Sequence, residues 1–255
     1  MKVFWKLTAT LLLTLTATGL FAGELEDILK ANYEAKGGLA KLKATKTMKM
    51  VGKIVLQGGA MEVGIKIAVK SDKMHTAASI QGMDILSAIN GDDAWMVNPM
   101  TGSTDPQDIP EAQIKTLKEQ MDLNGPLVGY EEEGAKVEYM GKEDVEGTEC
   151  YKLKHTNKDG KETTLYLDTE SAVEIKMVAK SQDLGGTDFV AHTYLSDYQE
   201  VDGVMIPFGV TTKNEQGMVM MEMVIEKFER NVEIDDSIFV RPKVAEKPEE
   251  VKKDQ

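Results

Sequence analysis

The sequence has very little cysteine and histidine. Cys150 is its one cysteine, so an intramolecular disulfide is excluded and stability has to come from an ordinary apolar core. The three histidines, His75, His155 and His192, lie far apart, and each falls within a strand pattern. This spacing favours isolated surface or edge imidazoles over a metal site. We therefore predict no resident metal ion.

Recognisable catalytic motifs are missing as well. The sequence contains no nucleophile elbow, no metal-spaced histidine pair and no glycine loop between a strand and a helix that would cradle a phosphate. Cys150 stands beside Tyr151 in a strand pattern, where a small packing residue is the ordinary interpretation. The acidic residues 131–133 lack the spaced oxygen ligands of a calcium loop. We expect a protein without enzymatic activity, catalytic residues or cofactors.

Long apolar runs are absent except near the N-terminus. Two lysines precede an apolar and small stretch at residues 7–21, and Leu20 and Ala22 occupy the positions that precede a cleavage site. This stretch is shorter and richer in threonine than a membrane-spanning helix. We predict a signal peptide at residues 1–22 and a soluble mature protein that is exported to the periplasm.

Basic residues are outnumbered by acidic ones. The chain has 30 Lys and Arg against 43 Asp and Glu, which gives a formal net charge of −13. A surface of this sign repels nucleic acid phosphates and anionic lipid head groups. We expect no nucleic acid partner and no stable membrane insertion.

The most abundant pattern is an alternation of apolar and charged residues. It begins at Thr47 and occupies residues 47–56 and 61–70, where apolar side chains alternate with lysines and a glutamate. Similar patterns fill most of the chain up to Phe228, with Gly, Asp or Asn between them. A period of two indicates half-buried strands, so we predict a meandering antiparallel sheet.

Two segments have helical spacing instead. The first lies at residues 25–33, where Leu25, Ile28, Leu29 and Tyr33 recur at three- and four-residue steps. In the second, at residues 109–121, Asp108 is the expected N-cap and Ile114, Leu117 and Met121 share one face. We predict a disordered tail at residues 245–255, because that segment is almost entirely charged or small.

Methionine is unusually frequent. The chain has 16 Met against 6 Phe and 2 Trp, and many methionines fall on alternating strand positions. Unbranched, flexible side chains of this kind can repack around ligands of different shapes. Composition alone favours an ordinary packed core, so a ligand-binding interpretation needs another argument.

A segment around Trp95 supplies that argument. Residues 90–99, NGDDAWMVNP, follow a series of alternating strands and precede a helix. They resemble the Gly-turn, Trp, strand and Asn-Pro signature of the periplasmic carriers that sort lipoproteins to the bacterial outer membrane. The ending SIFVRP at residues 237–242 is similar to the ending of these proteins, and residues 141–147 and 201–207 resemble phrases of the broader lipoprotein-sorting group. The resemblance spans nearly all of the mature chain.

The resemblance implies a fold and a function. The fold is mainly β with covering helices, in which a curved antiparallel sheet forms an incomplete barrel around an apolar cavity. The expected function is that of a single-domain periplasmic carrier or chaperone, residues 23–244, that binds the acyl chains of lipoproteins or other lipids in outer-membrane lipoprotein sorting. Release and acceptor proteins of the inner and outer membranes are its expected protein contacts. The alternative is a periplasmic sensor or scaffold of the same fold that binds a protein partner.

The apolar faces of the predicted strands and of the second helix give the expected cavity lining. Trp95 is its most specific member, although a core tryptophan is an equally good interpretation. We expect the helix at residues 109–121 to be the movable lid, because its apolar stripe is narrow. The predicted lining consists of Met48, Met50, Ile54, Val63, Ile65, Ile67, Trp95, Ile114, Leu117, Met221, Met223 and Ile225.

One departure from the carriers concerns the lid. The carriers have an Arg-Pro pair after their second long strand, and its arginine bonds to the lid. Here residues 70–73 read Lys-Ser-Asp-Lys. A lysine keeps the charge but not the planar fork of donors, so we do not expect the same latch.

Overall fold

The computed structural model of the protein describes residues 17–56, 59–119, 121–182 and 186–243. The predicted tail and residues 1–16 of the predicted signal peptide lie outside this part of the chain. The helices are α1 (Ala17–Ala35), α2 (Leu39–Lys43) and α3 (Glu111–Glu119). The strands are β1 (Thr47–Leu56), β2 (Met61–Lys70), β3 (Lys73–Ile80), β4 (Met83–Asn90), β5 (Asp93–Val97), β6 (Gln107–Asp108), β7 (Lys136–Val145), β8 (Thr148–Thr156), β9 (Glu162–Asp168), β10 (Glu174–Gln182), β11 (Asp188–Val201), β12 (Val204–Lys213) and β13 (Val219–Arg230).

All the strands form one antiparallel sheet. Its order from edge to edge is β6-β5-β4-β3-β2-β1-β13-β12-β11-β10-β9-β8-β7, so the first and last strands pair at its centre. The edge strands β6 and β7 are not paired with each other, and the sheet is not closed into a barrel. The prediction of a mainly β chain with an open, curved antiparallel sheet and covering helices is confirmed.

The register divides the side chains between two faces, because directly paired residues of antiparallel strands lie on the same face. One row of such pairs crosses the middle of the sheet from β8 to β2. We call the face that carries this row the inner face, since α1 and α3 pack on it, and the opposite one the outer face. The row consists of Leu153, Leu165, Met177, Thr193, Thr212, Met221, Leu56 and Met61.

Helix α1 covers the inner face over β7, β8 and β9. Its Ile28 and Leu29 are buried against Leu153 and Leu165, as the helical spacing of its apolar residues predicts. The hydroxyl of Tyr33 donates a hydrogen bond of 2.7 Å to the carbonyl of Leu127, and burial, with nearby tyrosine and acidic charge, raises the pKa of Tyr33 to about 12.

Polar contacts fix the C-terminal half of α1 on the sheet. Lys36 forms a buried ion pair of 2.9 Å with Glu174 on β10. Gly37 then ends the helix with a φ of 106°, and a Cβ there would collide with the carbonyl oxygen of Gly203 in the β11–β12 turn. Glycine is therefore required both for the backbone conformation and for the close approach of the helix to the turn.

Helix α3 covers the inner face over β1 to β5. Ile114 and Leu117 are partly buried against Val69, Met74 and Ile89. The helix therefore uses the narrow apolar stripe that the sequence predicts.

The start of α3 differs from the prediction. Asp108 does not cap the helix, which begins at Glu111. Instead, Asp108 pairs with Trp95 across strands β6 and β5, and its carboxylate lies 2.7 Å from the guanidinium of Arg241. The capping pattern was misread because Asp108 is an edge-strand residue with a charged partner far along the chain.

Candidate functional site

The centre of the inner face is an apolar cluster between the two covering helices. Met50, Ile65 and Ile225 are buried there together with Phe208. Gly52 makes this arrangement possible, because a Cβ at that position would collide with the carbonyl oxygen of Val224 on the neighbouring strand. The register of β1 and β13 shifts at this glycine. Glycine thus lets the two strands bend closely together around Ile225.

The inner face continues beyond this cluster to a set of incompletely covered side chains. Met61 and Met83 are 42% and 39% exposed, and the other members are half-buried. Pairing joins them, since Leu56 faces Met61 and Met221, and Ile80 faces Met83. We call this set the methionine rim. It consists of Leu56, Met61, Ile80, Met83, Met221 and Met223.

The structure brings most of the predicted lining residues together on the inner face. One group packs in the central cluster, and a second packs with α3. Ile67 belongs to both clusters, whereas Val63 and Met221 share the face through their pairing with Ile54 and Leu56. The first group is Met50, Ile54, Ile65, Ile67, Met223 and Ile225, and the second is Met48, Ile67, Ile114 and Leu117.

Trp95 requires a correction, because it lies on the outer face. It pairs with Ala88 and is buried with it, while the adjacent Ala94 packs on the α3 side. Its indole nitrogen donates a hydrogen bond of 3.1 Å to the carbonyl of Phe239, and its ring stands edge-on to His75 at 6.4 Å. The sheet therefore separates Trp95 from the other predicted lining residues.

The segment that buries Trp95 is the C-terminal one, at residues 231–243. Lys70 and Lys73 both reach Asp236 in this segment, at 3.0 and 3.2 Å, and Arg241 lies 2.6 Å from Asp93. Lys70 therefore binds the C-terminal segment.

A cavity of about 730 Å³ lies at the end of α3, and most of the residues that line it are polar or charged. Ser71 in the β2–β3 turn and Lys158 in the β8–β9 turn both contribute to it, although their strands belong to opposite halves of the sheet. The curvature of the sheet is what brings the two turns together. Its charged members include Lys118 on α3, and Asp122 and Glu133 in the segment that follows.

His155 is a lining residue of this cavity that the sequence interpretation missed. We expected a surface or edge imidazole, yet His155 is only 9% exposed and pairs with Val137 and Thr163. Burial lowers the pKa of its imidazole, and the nearby carboxylate of Asp122 opposes that shift. The available signal was its alternation with the apolar residue Leu153, which places His155 on the inner face.

The other candidates for reactivity lie apart from this cavity. His75 packs beside Trp95, and His192 pairs with Val178 and Lys213 on the outer face. Cys150 is fully buried, and burial raises the pKa of its thiol, which opposes formation of a reactive thiolate. Among the residues that the structure describes, no group of three or more His, Cys, Asp or Glu side chains is arranged to hold a metal ion.

Comparison with known proteins places the chain in a family. Residues 73–244 match the model of a family described as uncharacterized protein. No curated protein matches the sequence. In the part of the chain that is described, no helix combines the length and apolar character needed to cross a membrane.

Three solved structures share the fold over most of their length. A domain classed with the outer membrane lipoprotein-sorting proteins, from Vibrio parahaemolyticus, is 12% identical with a TM-score of 0.54, and the match covers 84% of this chain and 94% of that domain. A DUF1329 family protein from Desulfovibrio piger is 14% identical with a TM-score of 0.55, covering 83% and 97%. A LolA superfamily protein from Nitrosomonas europaea is 12% identical with a TM-score of 0.52, covering 84% and 96%. The chain therefore belongs to the family whose model matches residues 73–244, and it shares its fold with these three solved structures, one of which is a LolA superfamily protein.

Proposed function

We propose that this protein is a periplasmic carrier or chaperone that holds the acyl chains of lipoproteins or other lipids against its inner face, in outer-membrane lipoprotein sorting. The observation that carries the proposal is the methionine rim. An apolar face that is packed under α1 and α3 continues there to side chains such as Met61 and Met83, which are about two-fifths exposed. A contiguous exposed apolar surface of this kind is typical of a ligand-binding site.

Exposure of an acyl chain to water carries a large free-energy cost, which such a surface would offset. An acyl chain of ~16 carbons costs on the order of 12 kcal/mol when it is exposed to water, at ~0.8 kcal/mol per methylene. A face lined by methionine offsets this cost and adapts to chains of different length, because methionine side chains have many rotamers. Binding of this kind requires no catalytic group.

Helix α3 is the movable cover in this proposal. Ile114 and Leu117 are only partly buried, so each contributes less than the roughly 2 kcal/mol of a fully buried large side chain. The segments on either side contain left-handed glycines, at Gly102 and Gly125, which suit hinges. Displacement of α3 would enlarge the apolar surface from the methionine rim towards Met48.

The decisive experiment is a pair of substitutions on one strand. Met223 lies on the inner face of β13, and the next residue, Val224, is 56% exposed on the outer face. A fluorescent fatty-acid probe should bind the wild-type protein. Met223→Asp should weaken that binding at least about tenfold, because a carboxylate would have to be desolvated beside the acyl chain. Val224→Asp should bind the probe as the wild type does.

Circular dichroism and melting curves establish that both variants are folded before their binding is compared. If the wild type fails to bind the probe, or both variants bind it equally well, the inner face is not an acyl site. A stoichiometric protein partner that is retained from envelope extract after lipid removal would then favour the sensor or scaffold.

A further inference from the structure

The polar cavity at the end of α3 is not used by the acyl-binding face. Its volume of about 730 Å³ is in the range of sites for small molecules. Its lining carries charges of both signs, with Lys118 and Lys158 among the cations and Asp122 and Glu133 among the anions. A lining of this composition matches a ligand that carries one positive and one negative group, rather than a simple anion or cation.

His155 is the least expected member of the lining. It is only 9% exposed as a residue, and it lines the cavity. Burial lowers its pKa, so the ring is neutral at pH 7 and has one nitrogen that accepts and one that donates. A largely buried polar ring that lines a cavity can bond to a ligand there.

The acids beside His155 indicate where a positive group would lie. Burial raises the pKa of Glu133, the nearby carboxylate of Asp122 raises it further, and the ammonium of Lys158 opposes the shift. Asp122 is also the charge that acts on His155. All three side chains line the same cavity, in which the two carboxylates repel each other and an ammonium group would relieve the repulsion.

We propose that this cavity binds a zwitterionic head group that carries a primary ammonium and a phosphate. The ammonium donates to the acceptor nitrogen of His155 and to the carboxylates of Asp122 and Glu133. The phosphate forms ion pairs with the lysines of the lining, Lys118 and Lys158. A quaternary ammonium has no N–H to donate, so the site distinguishes phosphoethanolamine from phosphocholine chemistry.

The position of the cavity links it to the acyl-binding face, and in that respect the inference rests on the proposed function. Met121 lines the cavity and also packs with the α3 cluster that contains Met48 and Ile67. A lipid whose head group occupies the cavity could therefore place its acyl chain beneath α3. The head group would then contact the cover directly through Lys118.

The test compares short-chain phosphatidylethanolamine, phosphatidylcholine and phosphatidylglycerol by calorimetry, at concentrations at which each lipid is monomeric. The wild type should bind the ethanolamine lipid about tenfold more tightly than either of the others, which corresponds to one charged hydrogen bond. His155→Leu should lose this preference and should keep the affinity for a fatty-acid probe. His192→Leu, on the outer face, should keep both.

The remaining outcomes distinguish a lipid head group from a free zwitterion, and the head-group site from the acyl-binding face. Free phosphoethanolamine that binds as tightly as the lipid, and shifts the His155 ring signals in NMR spectra, would support the same chemistry and assign the site to a soluble zwitterion. If the His155 signals shift in this way but the protein binds no fatty-acid probe, the head-group site is supported and the proposal of an acyl carrier is overturned. Equal binding of the three lipids, or a preference retained in His155→Leu, would overturn the head-group site.

Discussion

The two ends of the inner face are built differently although they belong to one sheet. Under α1, the face consists of Leu153, Leu165 and Leu167, all at 0% exposure. At the methionine rim, Met61 and Met83 are 42% and 39% exposed. Branched leucines with few rotamers fill the closed end, and flexible methionines occupy the open end.

The covering helices differ in the same way. Helix α1 is tied to the sheet by a buried ion pair between Lys36 and Glu174, and by a hydrogen bond of 2.8 Å from the Asn32 amide to the carbonyl of Ala172. Helix α3 rests on the partly buried side chains of Ile114 and Leu117. The comparison indicates that stability is concentrated at the α1 end, and we propose that movement and binding belong to the α3 end.

The largest expected effect comes from opening a cavity at the α1 end. Leu165→Ala should lower the free energy of unfolding by about 3 kcal/mol, because Leu165 is fully enclosed and its neighbours cannot fill the space. Met223→Ala at the rim should cost about 1 kcal/mol or less, since Met223 is only half-buried. Urea denaturation measures both. Equal losses would remove the distinction between the two ends.

An intermediate effect is expected from Leu117→Asp on α3. The change places a charge in the apolar contact that holds the helix, so α3 should loosen and lipid retention should change while the sheet stays folded. Hydrogen exchange should show faster exchange at residues 111–119 and unchanged exchange in β8 and β9.

The wild-type protein supplies the control for that variant. Without ligand, α3 should exchange faster than the central strands, and added lipid should slow it. If α3 is as protected as the central strands and does not respond to lipid, it is part of the core rather than a lid.

A fall in pH is expected to have a smaller effect on the stability of the fold. Burial lowers the folded-state pKa of His155 below its ordinary value of 6.5, so the neutral ring contributes stability above that pH. This stability is lost as the pH falls below about 6.5, because protons bind the unfolded chain more readily. His155→Leu should flatten the fall in stability below this pH. His75 shifts in the same direction beside Trp95 and should leave a residual slope.

Much of the inner face could be predicted because alternation is a local property of the sequence. The faces of β1, β2 and β13 follow from their own residues, and Met50, Ile65 and Ile225 meet as expected. Pairing of β1 with β13 could not be derived in this way, because it joins residues 48–56 to residues 221–230, far along the chain.

The sequence predictions were wrong where a segment far along the chain determines the environment of a residue. Ala94, Trp95, Met96 and Val97 are all apolar, so alternation does not indicate which of them face inward. The C-terminal segment buries Trp95 on the outer face through its contact with Phe239. The polar cavity was missed for the same reason, since the β2–β3 and β8–β9 turns meet only through the curvature of the sheet.

Native mass spectrometry of the protein purified from its native cells tests the central claim most directly. The account predicts a bound species with the mass of a lipid or of a lipoprotein acyl group, and less of it in Met223→Asp than in Val224→Asp. A wild-type protein that carries no lipid, and that takes up none when acyl lipids are added, would contradict it.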